Sequence, residues 1–472
     1  MQADSRKIIS ENIVADRSKL KIICVFLHRI YFGRIPYERQ YRGKKRKAMN
    51  ITELQQSYAS HPNVEGVCRL LKDNSVRHLY CGGLYASAAS LFSSVLVQRA
   101  TCPLVFILGD MEEAGYFYHD LTQILGTEQV LFFPSSFRRA IKYGQKDAAN
   151  EILRTEVLSR LQKGEEGLCV VTYPDALAEK VVSRKELGEN TLKLHAGERV
   201  DMNFVTDVLR SYGFEYVDYV YEPGQYAVRG SIIDVFSFSS EFPFRIDFFG
   251  DEVESIRTFE VESQLSKEKK EEIVIVPDLS RSLEQGGNGG MVSFLDFLRP
   301  DTLLAMRDFL WLRERIQVVH DESLTAQAIA ACEAEENGAI SLEGKLIDGG
   351  EFTLRALDFR RMEFGTKPTG TPDATVAFST VAQPIFHKNF DLVAESFRDY
   401  LSRNYTLYIC SDSLKQTDRI RAIFEDRGDN ISFTPVERTL HEGFADDTLR
   451  LCIFTDHQLF DRYHRYQIRG GI

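Results

Sequence analysis

The eight cysteines, at positions 24, 68, 81, 102, 169, 332, 410 and 452, include no CxxC pair. That excludes a zinc ribbon and a disulfide framework, and it fits thiols kept reduced in a cytosol. No apolar run approaches the roughly 20 residues that span a bilayer. Ile22–Leu27 is apolar but far too short, and no small-residue cleavage site follows it. There is no HExxH, no GxSxG and no GxGxxG following a strand, so no catalytic residues are assigned. Basic charge is scarce where a nucleic-acid grip would need it. Residues 1–50 hold 13 Lys or Arg against 4 Asp or Glu, which leaves 45 basic against 65 acidic residues in the remainder. A body with a net charge near −20 is poorly suited to neutralising phosphates, and it points to a protein partner.

What the chain does contain is alternation of strand and helix. Val76–Cys81 and Pro103–Asp110 read as buried strands, and Met111–Leu125 and Asp391–Ser402 read as helices, which predicts an α/β layer fold. Between the first strand and its helix lies GGLYASAASLF. In the register of the phosphate loop GxxxxGK[ST], Gly83 is the first glycine, and Ala88, Ala89 and Ser90 stand where Gly, Lys and Ser/Thr belong. The loop is degenerate: the lysine is missing, and a Cβ intrudes where backbone must approach phosphate. The basic cluster Arg138, Arg139, Lys142 and Lys146 reads as a solvated face rather than a DNA site. His457 and His464 are spaced to share a helical face, but no cysteine or carboxylate pattern surrounds them, and no metal site is expected.

Most of the information lies in residues 221–264, YEPGQYAVRGSIIDVFSFSSEFPFRIDFFGDEVESIRTFEVESQ. Turn chemistry at Pro223-Gly224 and Gly250-Asp251 separates three β runs, which predicts a small antiparallel sheet. In Phe244–Phe249 the period of two puts Phe244, Ile246 and Phe248 on one face and Arg245, Asp247 and Phe249 on the other. An arginine and a phenylalanine on a polar face fit a docking site. The bland alternative pairs Arg245 with Asp247 or Glu254 and makes Phe249 a peripheral core residue.

PGQYAVRGSIIDVF followed by FRIDFFGDEVESIRTFEVESQ strongly resembles the UvrB-homology module shared by the excision-repair protein UvrB and the transcription-repair coupling factors (Mfd). From about Met49 onward the chain resembles the N-terminal region of the coupling factors. The resemblance implies a multidomain α/β chain, with a RecA-like-derived α/β domain (49–190 and 276–370) interrupted by a small mixed α+β UvrA-binding domain (191–275). A compact α/β domain (373–472) follows a linker at 364–375. It also implies UvrA docking through residues 221–264 by Arg229, Arg245 and Phe249. The parent protein would be an ATP-dependent DNA translocase that displaces stalled RNA polymerase. Its ATP, magnesium, polymerase and double-stranded DNA would be handled by C-terminal domains absent here, and its own C-terminal region would mask the module. No cofactor is expected for these 472 residues themselves. The alternatives are a UvrB-type damage-recognition ATPase and a free-standing UvrA-binding adaptor. Only a short loop fits where UvrB carries its DNA-gripping hairpin.

Residues 1–48 share none of this resemblance and end in the basic run Lys44-Lys45-Arg46-Lys47. They read as a poorly ordered, non-native extension before Met49, and the polar close TDHQLFDRYHRYQIRGGI reads as cut. Deleting residues 1–48 is expected to leave the melting temperature and partner binding unchanged. A fall of several degrees would show that the segment packs.

Overall fold

A computed structural model describes residues 48–136, 148–279, 290–323, 344–466 and 468. The expectations for the first 47 residues and for the basic cluster at 138–146 fall outside these residues.

The centre is a seven-stranded sheet in the order 374–377, 78–82, 360–363, 303–306, 104–107, 169–172, 130–132. Every pairing in it is parallel. Leu104–Ile107 and Leu303–Met306 are buried at all positions, as strands covered on both faces must be, which is why they read as unbroken apolar runs. Helix Met111–Leu125 covers one face. Asp110 starts it by accepting from the Glu113 amide, and Glu112 and Glu113 sit in its first turn, where the helix dipole favours acids. Strand 303–306 slots between 104–107 and 360–363, so residues on both sides of the intervening module build one sheet.

The module leaves and rejoins through an antiparallel pair, Leu192–His195 with Glu272–Ile275. Beyond that neck its sheet runs 266–270, 252–259, 244–249, 232–235, 225–229, 215–216. The strand-rich stretch Tyr226–Phe236 is two strands rather than one, because Gly230, at φ +61°, turns the chain between them. The charged run at 267–272 is largely the edge strand Ser266–Lys270, whose lysines guard an open edge. Helix Met202–Ser211 buries Val205 and Leu209 against Ile233, Ile246 and Ile256 on the sheet's apolar face.

The last unit is a mixed sheet, 49–50, 434–437, 406–411, 451–455, 444–446, 380–382. Helices Phe390–Ser402 and Leu414–Asp426 contribute Phe397, Ile420 and Phe424 to its separate core. Its remaining face packs through Val436, Phe444 and Ile453 into the core of the central domain, together with Ile51, Leu54 and Tyr58. Tyr58 Oη donates to buried Asp446 Oδ2 (3.0 Å), and His61 Nε2 lies 3.3 Å from the same oxygen.

Two expected boundaries shift by a strand. Ala374–Ala377, inside and just after the supposed linker, closes the central sheet by pairing with His78–Gly82, whose edge would otherwise stay open. Met49–Asn50 belongs to the last sheet, paired with Val436–Glu437.

Gly83, at φ +78°, ends strand 78–82, and a Cβ there would collide with the carbonyl of Phe378. Gly83→Ala is expected to cost at least about 2 kcal/mol. Gly66, in helix Pro62–Leu70 with open space around it, is the control. Gly66→Ala should stabilise by about 0.5–1 kcal/mol. Denaturant melts of the two variants check both signs.

Candidate functional site

The polar face of the module's sheet is built around one carboxylate. Asp234 interrupts the apolar strand Ile232–Val235, and antiparallel register sets it opposite Arg245. Arg245 donates from Nε to Oδ1 (2.7 Å) and from Nη2 to Oδ2 (2.8 Å), a bidentate clamp. Arg229, on the neighbouring strand, donates from Nη2 to the same Oδ2. The Asp234 side chain is only 1% exposed. Its hydrogen bonds raise the Arg245 pKa above the ordinary arginine value. Arg245 also donates to the Gln264 carbonyl (3.1 Å) and lies over the Phe259 ring, while Arg229 lies over Tyr219.

The expected alternation of Phe244–Phe249 holds: Arg245, Asp247 and Phe249 point away from the core. The simple ion-pair alternative does not. Asp247 is engaged by Arg257 and Ser255, and Arg245 is held by Asp234, because strand 232–235 lies between the arginine strands. Two guanidinium groups share one carboxylate, which leaves one positive charge uncompensated in that triad. Phe249 is 77% exposed, at the far end of its strand, about 13 Å from Arg245 by strand rise. Thus Arg229 and Arg245 converge, and Phe249 stands apart. Tyr219, Tyr221 and Leu265 are also exposed. Of these contributors, Asp234 escaped the sequence reading; its signal is an acid inside the strand formers Ile-Ile-Asp-Val.

The degenerate loop is closed upon itself and against the last unit. Ala88, Ala89 and Ser90 are buried in helix Ala88–Arg99. The Tyr85 amide donates to Thr380 Oγ1 (3.0 Å), which donates to the Gly83 carbonyl (2.6 Å). The Ser87 amide donates to the Glu442 carbonyl, and those of Ala88 and Ala89 donate to Tyr85 and Ala86. Ser87 Oγ donates to Asp120 (2.6 Å) and accepts from the Glu442 amide (3.0 Å). Beside the loop is a cleft of about 320 Å³ lined by Asp110, Glu112, Glu113, Asp120 and Glu442, with Arg307 the one cation among the described residues that line it. Burial pushes Asp120 up to about 7 and raises Glu442. A polyphosphate entering here meets acids and amides already bonded.

His457 and His464 do not share a helical face. The helix is only Asp456–Leu459, and His464 lies beyond it, beside His441 from a preceding loop.

Residues 192–280 match the family model of the UvrB interaction domain, the span that contains the neck strands and the Asp234 face. The class is therefore a UvrB-type interaction module inserted in an α/β scaffold. Over more of its length the chain is similar to transcription-repair-coupling factors. That of Escherichia coli K12 is 30% identical over 198 residues (42% of this chain, 17% of the relative). The Bacillus subtilis protein is 28% identical over 228 residues (46% and 19%). That of Staphylococcus aureus RF122 is 22% identical over 460 residues (82% and 38%). These similarities bear out the resemblance to the N-terminal region of a coupling factor. The chain spans well under half the length of these relatives.

Titrating the protein with magnesium-ATP is expected to give no heat above dilution. Ala88→Gly combined with Ala89→Lys should not restore binding, because Thr380 and Glu442 still occupy the loop. Micromolar binding at one site on the parent chain would overturn this.

Proposed function

We propose that this chain is the UvrA-recruiting region of a transcription-repair coupling factor, docking UvrA through the face around Asp234. The carrying observation is that paired, partly desolvated guanidinium groups and the exposed Phe249 lie on one sheet face inside the UvrB interaction domain. A buried carboxylate fixes both arginines, so little side-chain entropy remains to be lost on binding. The uncompensated charge favours an acidic group on the partner, and Phe249 supplies an apolar anchor. Recruitment by this region calls for no catalytic group of its own. The longer parent protein would add an ATP- and magnesium-dependent motor acting on double-stranded DNA and a contact to RNA polymerase. Its C-terminal region would cover the face until the motor engages. The occupied loop and acidic cleft weigh against the UvrB-type ATPase alternative.

Arg245→Ala and Phe249→Ala are each expected to weaken UvrA binding at least tenfold, about 1.4 kcal/mol. Arg229 still holds Asp234 in the first variant, so the fold should survive with a lowered melting temperature, and circular dichroism checks that it does. Lys185→Ala, an exposed cation on the other domain, should bind normally. If both face variants fold and bind UvrA like the parent, the docking face lies elsewhere.

A further inference from the structure

Three imidazoles from separate parts of the last unit meet where it packs on helix Met111–Leu125. His441 lies in the loop after strand Thr434–Glu437, His457 in helix Asp456–Leu459, and His464 in the segment beyond it. Each offers a ring nitrogen, and these three atoms all lie within 4.8 Å of one another. We propose that His441, His457 and His464 form a binding site for a divalent transition-metal ion of the zinc class, which ties the segment after helix Asp456–Leu459 back onto the loop at His441.

One nitrogen–nitrogen distance already matches what such an ion needs. A tetrahedral zinc with bonds of about 2.0–2.1 Å places its nitrogen ligands about 3.3–3.4 Å apart. His441 Nδ1 and His464 Nδ1 are 3.4 Å apart. His457 Nε2 lies 2.7 Å from the His441 carbonyl, so that nitrogen carries the proton and donates, and Nδ1 keeps the free lone pair. A ring N–H fixed on a backbone carbonyl is the outer arrangement that orients metal-binding histidines. The positions are anchored as well: the His441 amide donates to Asp120 Oδ1 (2.7 Å), and the His464 carbonyl accepts from Tyr116 Oη (2.8 Å).

As a plain neutral stack the cluster leaves something unaccounted for. Tyr116 stacks on His441 and His457 on His464, which packs the rings well. His119, edge-on to His464, has a buried Nε2 with no hydrogen-bond partner among the described residues. It is a further nitrogen donor, on helix Met111–Leu125 near the group but outside the cluster of three, and would join the coordination through a metal-bound water. An all-imidazole set suits zinc, cobalt, nickel or copper rather than magnesium or calcium. Binding requires the His457 and His464 rings to turn out of their stack, so the ion would trade stacking for coordination.

The test uses the whole chain, freed of metal with a chelator and titrated with cobalt(II) as a visible probe. One equivalent is expected to give the intense absorption of four-coordinate cobalt, and zinc should displace it. His464→Ala and His457→Ala should each weaken cobalt binding at least tenfold. His195→Ala, half exposed beside Glu272 in the neck of the module, should not. Circular dichroism of the metal-free variants separates loss of ligand from loss of fold. Should either histidine variant unfold, the corresponding His→Gln variant, which keeps more of the packing, gives the same reading. No cobalt absorption from the folded parent overturns the proposal, as does binding that survives both substitutions.

Discussion

The architecture depends on strand Leu303–Met306 being accepted into the middle of a parallel sheet, between Leu104–Ile107 and Arg360–Glu363. A central parallel strand has both edges to satisfy and both faces to bury, so its place cannot slip by a residue without mismatching two neighbours. This fixes where the chain must return after the module. The module's two ends are accordingly held side by side, Leu192 opposite Ile275 and His195 opposite Glu272. Its interior is a core of its own around Ile233, Ile246 and Ile256, and that independence frees the opposite face of its sheet for polar chemistry.

The two regions that sequence singled out have opposite electrostatic character. On the module, one carboxylate serves two guanidinium groups, and aromatic rings lie beneath both. At the Gly83–Ser90 loop, five carboxylates among the described residues line the cleft around Arg307, and Thr380 and Glu442 fill the backbone positions. The lysine that the pattern GxxxxGK[ST] would place at 89 is thus one of several features this loop lacks. The last unit has taken over the donors and acceptors that a ligand would use.

Periodicity made much of this legible. Leu-Val-Phe-Ile at 104–107 could only be a doubly covered strand, and Phe-Arg-Ile-Asp-Phe-Phe at 244–249 sorted its own faces. What sequence could not supply were pairings set by register between strands. That Arg245 meets Asp234 rather than Asp247 depends on which strand lies next to which. Ala-Thr at 374–375 looked like linker because Gly and Pro crowd the preceding residues, yet an open sheet edge recruited it. The histidine group was hidden for a similar reason, since His441 and His464 come together only when the loop and the segment after the short helix fold back.

The hydrogen bond from Tyr58 to Asp446 joins residues 388 positions apart. Helix Ile51–Ala59 buries Ile51, Leu54 and Tyr58 in a core that also needs Val436, Phe444 and Ile453. During synthesis at about 5–20 residues per second, that helix must wait roughly 20–80 s for its partners to leave the ribosome. Through that interval the part of its apolar stripe that meets Phe444 and Asp446 is uncovered, while the part against helix Ala88–Arg99 can already pack as the central sheet and the module assemble. The earliest-made part of the described fold is therefore among the last to be finished, and nascent-chain chaperones would find their target there.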